Sequence, residues 1–209
     1  MDKDYKTVRC AARAEMIEKK SRFIATVRPV TAEEEALALI AEMKKEFSDA
    51  SHNVYAYVVR ENNIARFSDD GEPGGTAGMP VMEVIKQENL TDVAVVVTRY
   101  FGGTLLGAGG LVRAYSKTAK LGIDAAHIAT MTYGTELEIT VSYDLYGKLQ
   151  YLLEQEGIKA EQIDFGENVA MYTFVPEDKK ESLQKNITES TNGKAEFSEL
   201  GTEYRLIDN

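Results

Sequence analysis

Residues 93 to 123 read VAVVVTRYFGGTLLGAGGLVRAYSKTAKLGI, and no other stretch limits the fold so tightly. Val93 to Val97 is an unbroken apolar run of valines around Ala94, which suits a strand covered on both faces. Gly102, Gly103, Gly107, Gly109 and Gly110 follow, where a chain can take positive φ or let another group approach its amides. Leu111 to Ile123 resumes helical spacing, with Leu111, Ala114 and Leu121 on one side and Arg113, Lys117 and Lys120 sharing another. A buried strand feeding a helix through a glycine loop requires a mixed architecture of sheet and helices.

The same stretch inverts the local charge. No acidic residue lies between Asp92 and Asp124, while Arg99, Arg113, Lys117 and Lys120 fall there, in a protein of net charge −10. A helix N-terminus behind a glycine loop, with cations one and two turns in, receives an anion through backbone amides and the helix dipole. The string is neither a Walker loop, since no Gly-Lys-Ser/Thr closes it, nor a dinucleotide fingerprint, since Gly107-x-Gly109 lacks the third glycine. The bland alternative is a tight loop whose glycines serve packing, with the cations on a solvated helix face. Residues 1–133 hold 17 Lys/Arg against 18 Asp/Glu, whereas residues 134–209 hold 7 against 16. The acidity therefore belongs to the C-terminal third, which disfavours a non-specific nucleic-acid coat but leaves room for a local anion site.

Cys10 is the only cysteine, which excludes an internal disulfide, and with His52 and His127 as the only histidines the common zinc spacings are absent. No signal peptide and no apolar run near twenty residues is found, so the cytoplasm is the expected compartment and no membrane partner is expected. No metal and no cofactor is assigned, and the oligomeric state is left open.

Along the chain, Lys6 to Ala12 and Ser21 to Arg28 read as strands separated by Glu18-Lys19-Lys20. Thr31 with Glu34 is a capping-box signature for a helix running to about Ser48. Val54 to Val59 and Ile64 to Phe67 read as a hairpin. Residues 68–80, SDDGEPGGTAGMP, carry four glycines and two prolines and form a loop, before a short helix from Met79 to Gln87 with Pro80 in its first turn. Asp69, Asp70 and Glu72 stand close together there; such carboxylates are solvated, bonded to loop amides, or hold a cation. Beyond Ala129 the order is strand Glu136–Ser142, helix from an Asp144 cap to Glu156, strands Ile158–Phe165 and Val169–Val175, helix Pro176–Thr191 and strand Ala195–Ile207. That is the β-α-β-β-α-β split unit of ferredoxin-like domains. The expected domains are 1–133 and 134–209.

Other candidates carry less. His52 can serve as a general base, but a lone histidine before a strand is more commonly a hydrogen-bonding residue. Cys10 reads as a core residue on an apolar stretch, and Ser68 and Thr76 lie in no nucleophile elbow. Tyr100 and Phe101 either stack on bases beside Arg99 or close the top of a core.

The segment at 68–80, followed by VVVTRYFGGTLLGAGGLVRAYS at 95–116, closely resembles the IMPACT family, whose bacterial members are often called the YigZ type. The resemblance implies an N-terminal domain with the fold of a small-subunit ribosomal protein and of domain IV of elongation factor G. It implies a second domain similar to that factor's last, ferredoxin-like domain. The family resemblance carries over the positions Asp69, Asp70, Glu72, Gly75, Thr76, Gly78, Arg99, Tyr100, Gly102, Gly103, Gly107, Gly109, Gly110, Arg113 and Tyr115. Met79 stands where some relatives have a basic residue, which weakens an anion site extended to that loop. Eukaryotic members modulate translation initiation through an additional domain that has no counterpart here.

The expected fold class is thus α+β, and the leading expectation is a non-enzymatic binder of RNA, the ribosome or a translation regulator. Arg99, Arg113, Lys117 and Lys120 would meet phosphate, with loop amides from the glycines and stacking from Tyr100. The rival is a hydrolase or transferase of a phosphorylated or nucleotide substrate, with loop carboxylates 69–72 facing into a cleft where both glycine loops converge. A protein-only adaptor is the third reading.

Overall fold

The computed structural model describes residues 4–207. They form two compact units, Tyr5–Thr130 and a second made of residues 131–207 with Asp4. Among the described residues no helix is long and apolar enough to cross a membrane.

The first unit contains strands β1 (Tyr5–Val8), β2 (Ala12–Glu18) and β3 (Ser21–Pro29), helix α1 (Glu33–Glu46), and strands β4 (His52–Val59) and β5 (Ile64–Ser68). Helix α2 (Gly78–Gln87), strand β6 (Val93–Tyr100) and helix α3 (Ala108–Ala125) follow. The sheet runs β2-β3-β6-β4-β5 with every neighbour antiparallel. β6 is its centre, and its valine run is divided between two cores. Ala94 and Val96 pack with Ala36, Leu39, Ile40 and Met43 of α1, while Val93, Val95 and Val97 pack with Val81 and Ile85 of α2 and Tyr115, Ala119 and Ile123 of α3. The period-2 alternation of a strand sends one set of side chains to each helical layer, which is why the run has no polar position.

Four local expectations need correction. The second strand begins at Ala12, before the Lys19-Lys20 turn, because Ala12 to Glu18 pair residue for residue with Ser21 to Val27. Thr31 is bonded by Glu35 rather than Glu34, its amide and hydroxyl donating to one Glu35 carboxylate oxygen at 2.6 and 3.2 Å. Cys10 is exposed, because it sits in the bend between β1 and β2, where no alternation turns it inward. On α3 the buried face is Leu111, Ala114, Tyr115, Thr118, Ala119, Gly122 and Ile123, and Leu121 lies outside it, 37% exposed.

The second unit contains β7 (Ile128–Val141), whose first residues belong to the other unit, then α4 (Tyr143–Gln155), β8 (Ala160–Phe165), β9 (Val169–Pro176), α5 (Glu177–Ser190) and β10 (Glu196–Leu206). Its antiparallel strand order is β10-β7-β9-β8, the arrangement of a ferredoxin-like split unit. Leu137, Ile139, Val141, Val169, Met171 and Val175 share one face of this sheet and bury Leu149 and Leu153 of α4 with Leu183 and Ile187 of α5. β7 starts earlier than its apolar pattern suggests, since Met131 to Gly134 are held by Glu203 to Leu206 of β10. Ser142, not Asp144, stands at the N-cap of α4, with Asp144 in its first turn.

Candidate functional site

The carboxylates of the 68–80 loop do not act together. Asp69 accepts from the amides of Gly75 (2.8 Å), Ala77 (3.0 Å) and Gly78 (2.7 Å), so it caps the start of α2 from across the loop. Asp70 takes the Lys44 ammonium and the Asn53 amide, each at 2.7 Å. Burial opposes its charged form, but Lys44, the Asn53 amide and His52 hold its carboxyl below the usual aspartate range. Thr76 donates to Pro73 O at 2.6 Å, closing the same loop. Replacing Asp69 by alanine strips three amides of their acceptor and is expected to cost about 0.5–2 kcal/mol, read as a lower urea midpoint. An unchanged midpoint would mean that water caps α2 equally well.

Glu72 turns inward. Its Oε1 accepts from Arg99 Nη1 at 2.6 Å and from the Tyr115 hydroxyl at 2.7 Å, with His52 Nε2 at 3.9 Å. Burial, reinforced by the Glu72 carboxylate, pushes the Tyr115 phenol above its ordinary value, so it stays a donor. Arg99 is only 5% exposed, where an exposed phosphate-binding cation was expected. The reason is strand parity: Arg99 continues the Val93-Val95-Val97 face of β6, which points beneath α2 and α3. Its guanidinium lies 5.4 Å from the Phe23 ring centre and 5.5 Å from that of Phe101, with Nη2 3.4 Å from Ser21 Oγ.

The remaining predicted positions separate into two groups. Tyr100 donates to Asp49 at 2.8 Å and has Arg22 over its ring, and Lys120 is bonded to Asp124 and Glu88, so both are engaged within the unit. Arg113 and Lys117 are exposed on α3 and, among the described residues, meet no carboxylate. They line a groove of about 220 Å³ with Lys19 and with Met16, Glu18, Leu106, Gly110 and Ala114. Lys19 carries no signal in the sequence that marks it for this role. It and Lys20 form the two-residue β2–β3 turn with φ of 44° and 68°, a conformation that ordinarily selects Asn or Gly. Gly102 fits against this turn: a Cβ there would lie 2.0 Å from the Lys20 carbonyl carbon.

The two glycine-rich loops do converge, on a neighbouring cleft of about 400 Å³. Gly71, Glu72 and Pro73 form one wall, Leu105, Leu106, Gly107 and Ala108 the other, and His52, Arg99, Phe101 and Leu111 complete it. Gly107, with φ of 74°, turns the chain into α3, so the start of that helix opens on the cleft, whereas Gly103 (φ 78°) faces open space. Gly109 stands beside Arg113 Nη1, at 3.6 Å from the place of a Cβ. Among the described residues no group of three or more His, Cys, Asp or Glu side chains is gathered to hold a metal.

Comparison with known proteins follows the division into units. The family model described as Impact N-terminal domain matches residues 19–123, and one described as Domain of unknown function (DUF1949) matches residues 139–194. "IMPACT family member YvyE" of Bacillus subtilis is 40% identical over 196 residues, covering 93% of this chain and 90% of the relative. "IMPACT family member YigZ" of Escherichia coli is 31% identical over 178 residues, covering 84% and 87%. "Protein IMPACT" of Oryctolagus cuniculus is 33% identical over 94 residues, 43% of this chain and 30% of that protein. A solved structure described as "Crystal structure of an hypothetical protein" superposes with a TM-score of 0.61 and 27% identity, covering 96% of this chain and 99% of that one. By its family-model match and by relatives alike along most of their length, the chain belongs to the IMPACT family.

Proposed function

We propose that this protein binds RNA, free or within the ribosome, as an accessory to the regulation of translation, through the surface formed by Lys19, Lys20, Arg113 and Lys117. The observation that carries this reading is that these four cations are exposed and, among the described residues, lack carboxylate partners, in a protein of net charge −10. Arg13, Arg22, Arg28 and Lys44 are each paired with an acid, and Lys19, Arg113 and Lys117 differ from scattered unpaired cations such as Lys45 and Arg66 in lining one groove. Unpaired cations on a rigid helix face and a tight turn suit phosphate oxygens, whose register they fix without reading bases. The family's eukaryotic members supply the link to translation. Arg99 and Lys120, engaged inside the unit, stand outside this surface.

The test is binding of purified protein to short RNAs and ribosomal subunits over a salt series, alongside the double variant Arg113→Glu/Lys117→Glu. Affinity of the parent is expected to fall with salt. In the variant the slope of log K against log salt should shrink by about 0.7–0.9 for each phosphate that is no longer neutralised. Its thermal midpoint should stay unchanged, because neither side chain is buried. RNA affinity that is unaffected by the double charge reversal would overturn the proposal.

A further inference from the structure

Resting on RNA binding through Lys19, Arg113 and Lys117, we infer that the groove these cations share is a base pocket. It takes one unpaired base of single-stranded RNA, guanine by preference, and Glu18 reads the edge of that base. The groove lies between the edge strand β2 and helix α3. Met16 and Glu18 are two residues apart on β2 and so point to the same side of the sheet, the side on which Met16 packs against the core that α3 covers. Gly110, Arg113, Ala114 and Lys117 fall at i, i+3, i+4 and i+7 and form one stripe along α3. The groove therefore has two chemistries: its cations are exposed, whereas Met16, Leu106 and Gly110 are half-buried and Ala114 is buried.

A phosphate is the wrong group for the floor. There it would lose water against thioether and methyl groups and would meet the Glu18 carboxylate, so phosphates belong on the rim, where the three cations stay solvated. A flat ring with an apolar face suits the floor instead. The volume of about 220 Å³ falls short of the roughly 300–1,000 Å³ of pockets that engulf a drug-sized ligand, and it fits a single base whose sugar and phosphates remain outside. A base can enter only where it is unstacked and unpaired, because taking one out of a duplex costs a few kcal/mol. Single strands and loops are therefore the RNA this groove accepts.

Glu18 selects among bases. It is exposed, and among the described residues its carboxylate is bonded to no donor, although Lys19, Arg113 and Lys117 line the same groove. An ionised carboxylate only accepts, through two oxygens side by side. Guanine is the base whose Watson–Crick edge offers two adjacent donors, N1–H and the 2-amino group, so it closes two parallel bonds with the acid. Adenine and cytosine each present an amino group next to a ring nitrogen that would face the second oxygen lone pair to lone pair. Uracil presents one N–H between two carbonyls. The cations hold the strand without regard to sequence, so the acid sets the preference.

Fluorescence anisotropy of the full chain with labelled RNA nonamers tests the inference, using an all-uridine strand and strands with guanine, adenine, cytosine or inosine at the central position. The guanine strand should bind at least tenfold more tightly than the all-uridine strand, a difference of about 1.4 kcal/mol, within what one bidentate base contact supplies. Inosine lacks only the 2-amino group of guanine and should lose most of that gain. Glu18→Gln keeps the shape of the side chain but replaces one acceptor by a donor. In that variant the guanine preference should fall at least fivefold, while the all-uridine strand binds as well or better and the thermal midpoint is unchanged. Equal affinity for all five strands, preference for another base, or a guanine preference that survives Glu18→Gln would overturn the base pocket and leave salt-dependent RNA binding standing. No binding of any strand or of ribosomal subunits at low salt would overturn both.

Discussion

Glu72→Ala is expected to lower the stability of the N-terminal unit by about 3–5 kcal/mol, the penalty for removing one partner of a buried ion pair. The substitution leaves Arg99 Nη1 and the Tyr115 hydroxyl without their shared acceptor, in a place where the Glu72 and Arg99 side chains are 3% and 7% exposed. Most of that penalty comes from the stranded charge rather than from the missing attraction, and this gives the prediction an internal check. Glu72→Gln retains an acceptor oxygen of the same shape and should lose markedly less. Glu72→Leu/Arg99→Met removes both charges and should recover much of what Glu72→Ala loses. Urea unfolding of the three variants measures this; a double variant as unstable as Glu72→Ala would show that packing, not charge, dominates the site.

Gly102→Ala should be the other severe change, by a different route. The new methyl would sit 2.0 Å from the Lys20 carbonyl carbon, 2.1 Å from its oxygen and 2.4 Å from Ser21 N. These are backbone atoms with no rotamer to escape to, so the glycine loop must leave the β2–β3 turn and with it the 3.2 Å bond from the Gly102 amide to Ser21 Oγ. Overpacking of about 1–3 kcal/mol plus about 1 kcal/mol for the hydrogen bond is expected. Gly74→Ala is the comparison, since nothing lies within 4 Å of the added methyl there and the backbone at Gly74 is outside the left-handed region. Equal urea midpoints for the two variants would contradict the close approach at Gly102.

What the sequence disclosed was what local pattern encodes. The valine run announced a doubly covered central strand, and the C-terminal alternation of strands and helices carried its β-α-β-β-α-β order, because period and turn residues are local signals. The IMPACT resemblance was legible because the two motifs that carry it, at 68–80 and 95–116, are continuous stretches, and both lie within the matched residues 19–123. The inward pairing of Arg99 with Glu72 and Tyr115 was not, since those partners come from 27 residues before Arg99 and from another element. Yet strand parity alone set Arg99 on the face of Val95 and Val97, so its burial was available to a stricter use of the same periodicity. Lys19 gave no hint of its place beside Arg113 and Lys117 because two lysines in a left-handed turn have no compositional signature, whereas Asn-Gly would have had one.

The central position of β6 also fixes the order in which the N-terminal unit can be completed during synthesis. β2 and β3 emerge as one antiparallel pair and β4 and β5 as another, while the strand that lies between β3 and β4 is made after all four. Without residues 93–100, the β2–β3 and β4–β5 pairs would each keep an inner edge of unsatisfied amides and carbonyls, and α1, though already made, would lack Ala94 and Val96 of its core. Insertion of a single eight-residue strand then closes both edges together, bringing Ile24 opposite Thr98 across more than seventy residues of chain. The five-stranded sheet of this unit therefore cannot be complete before β6 is available, and that constraint comes from topology rather than from the strength of any one pairing.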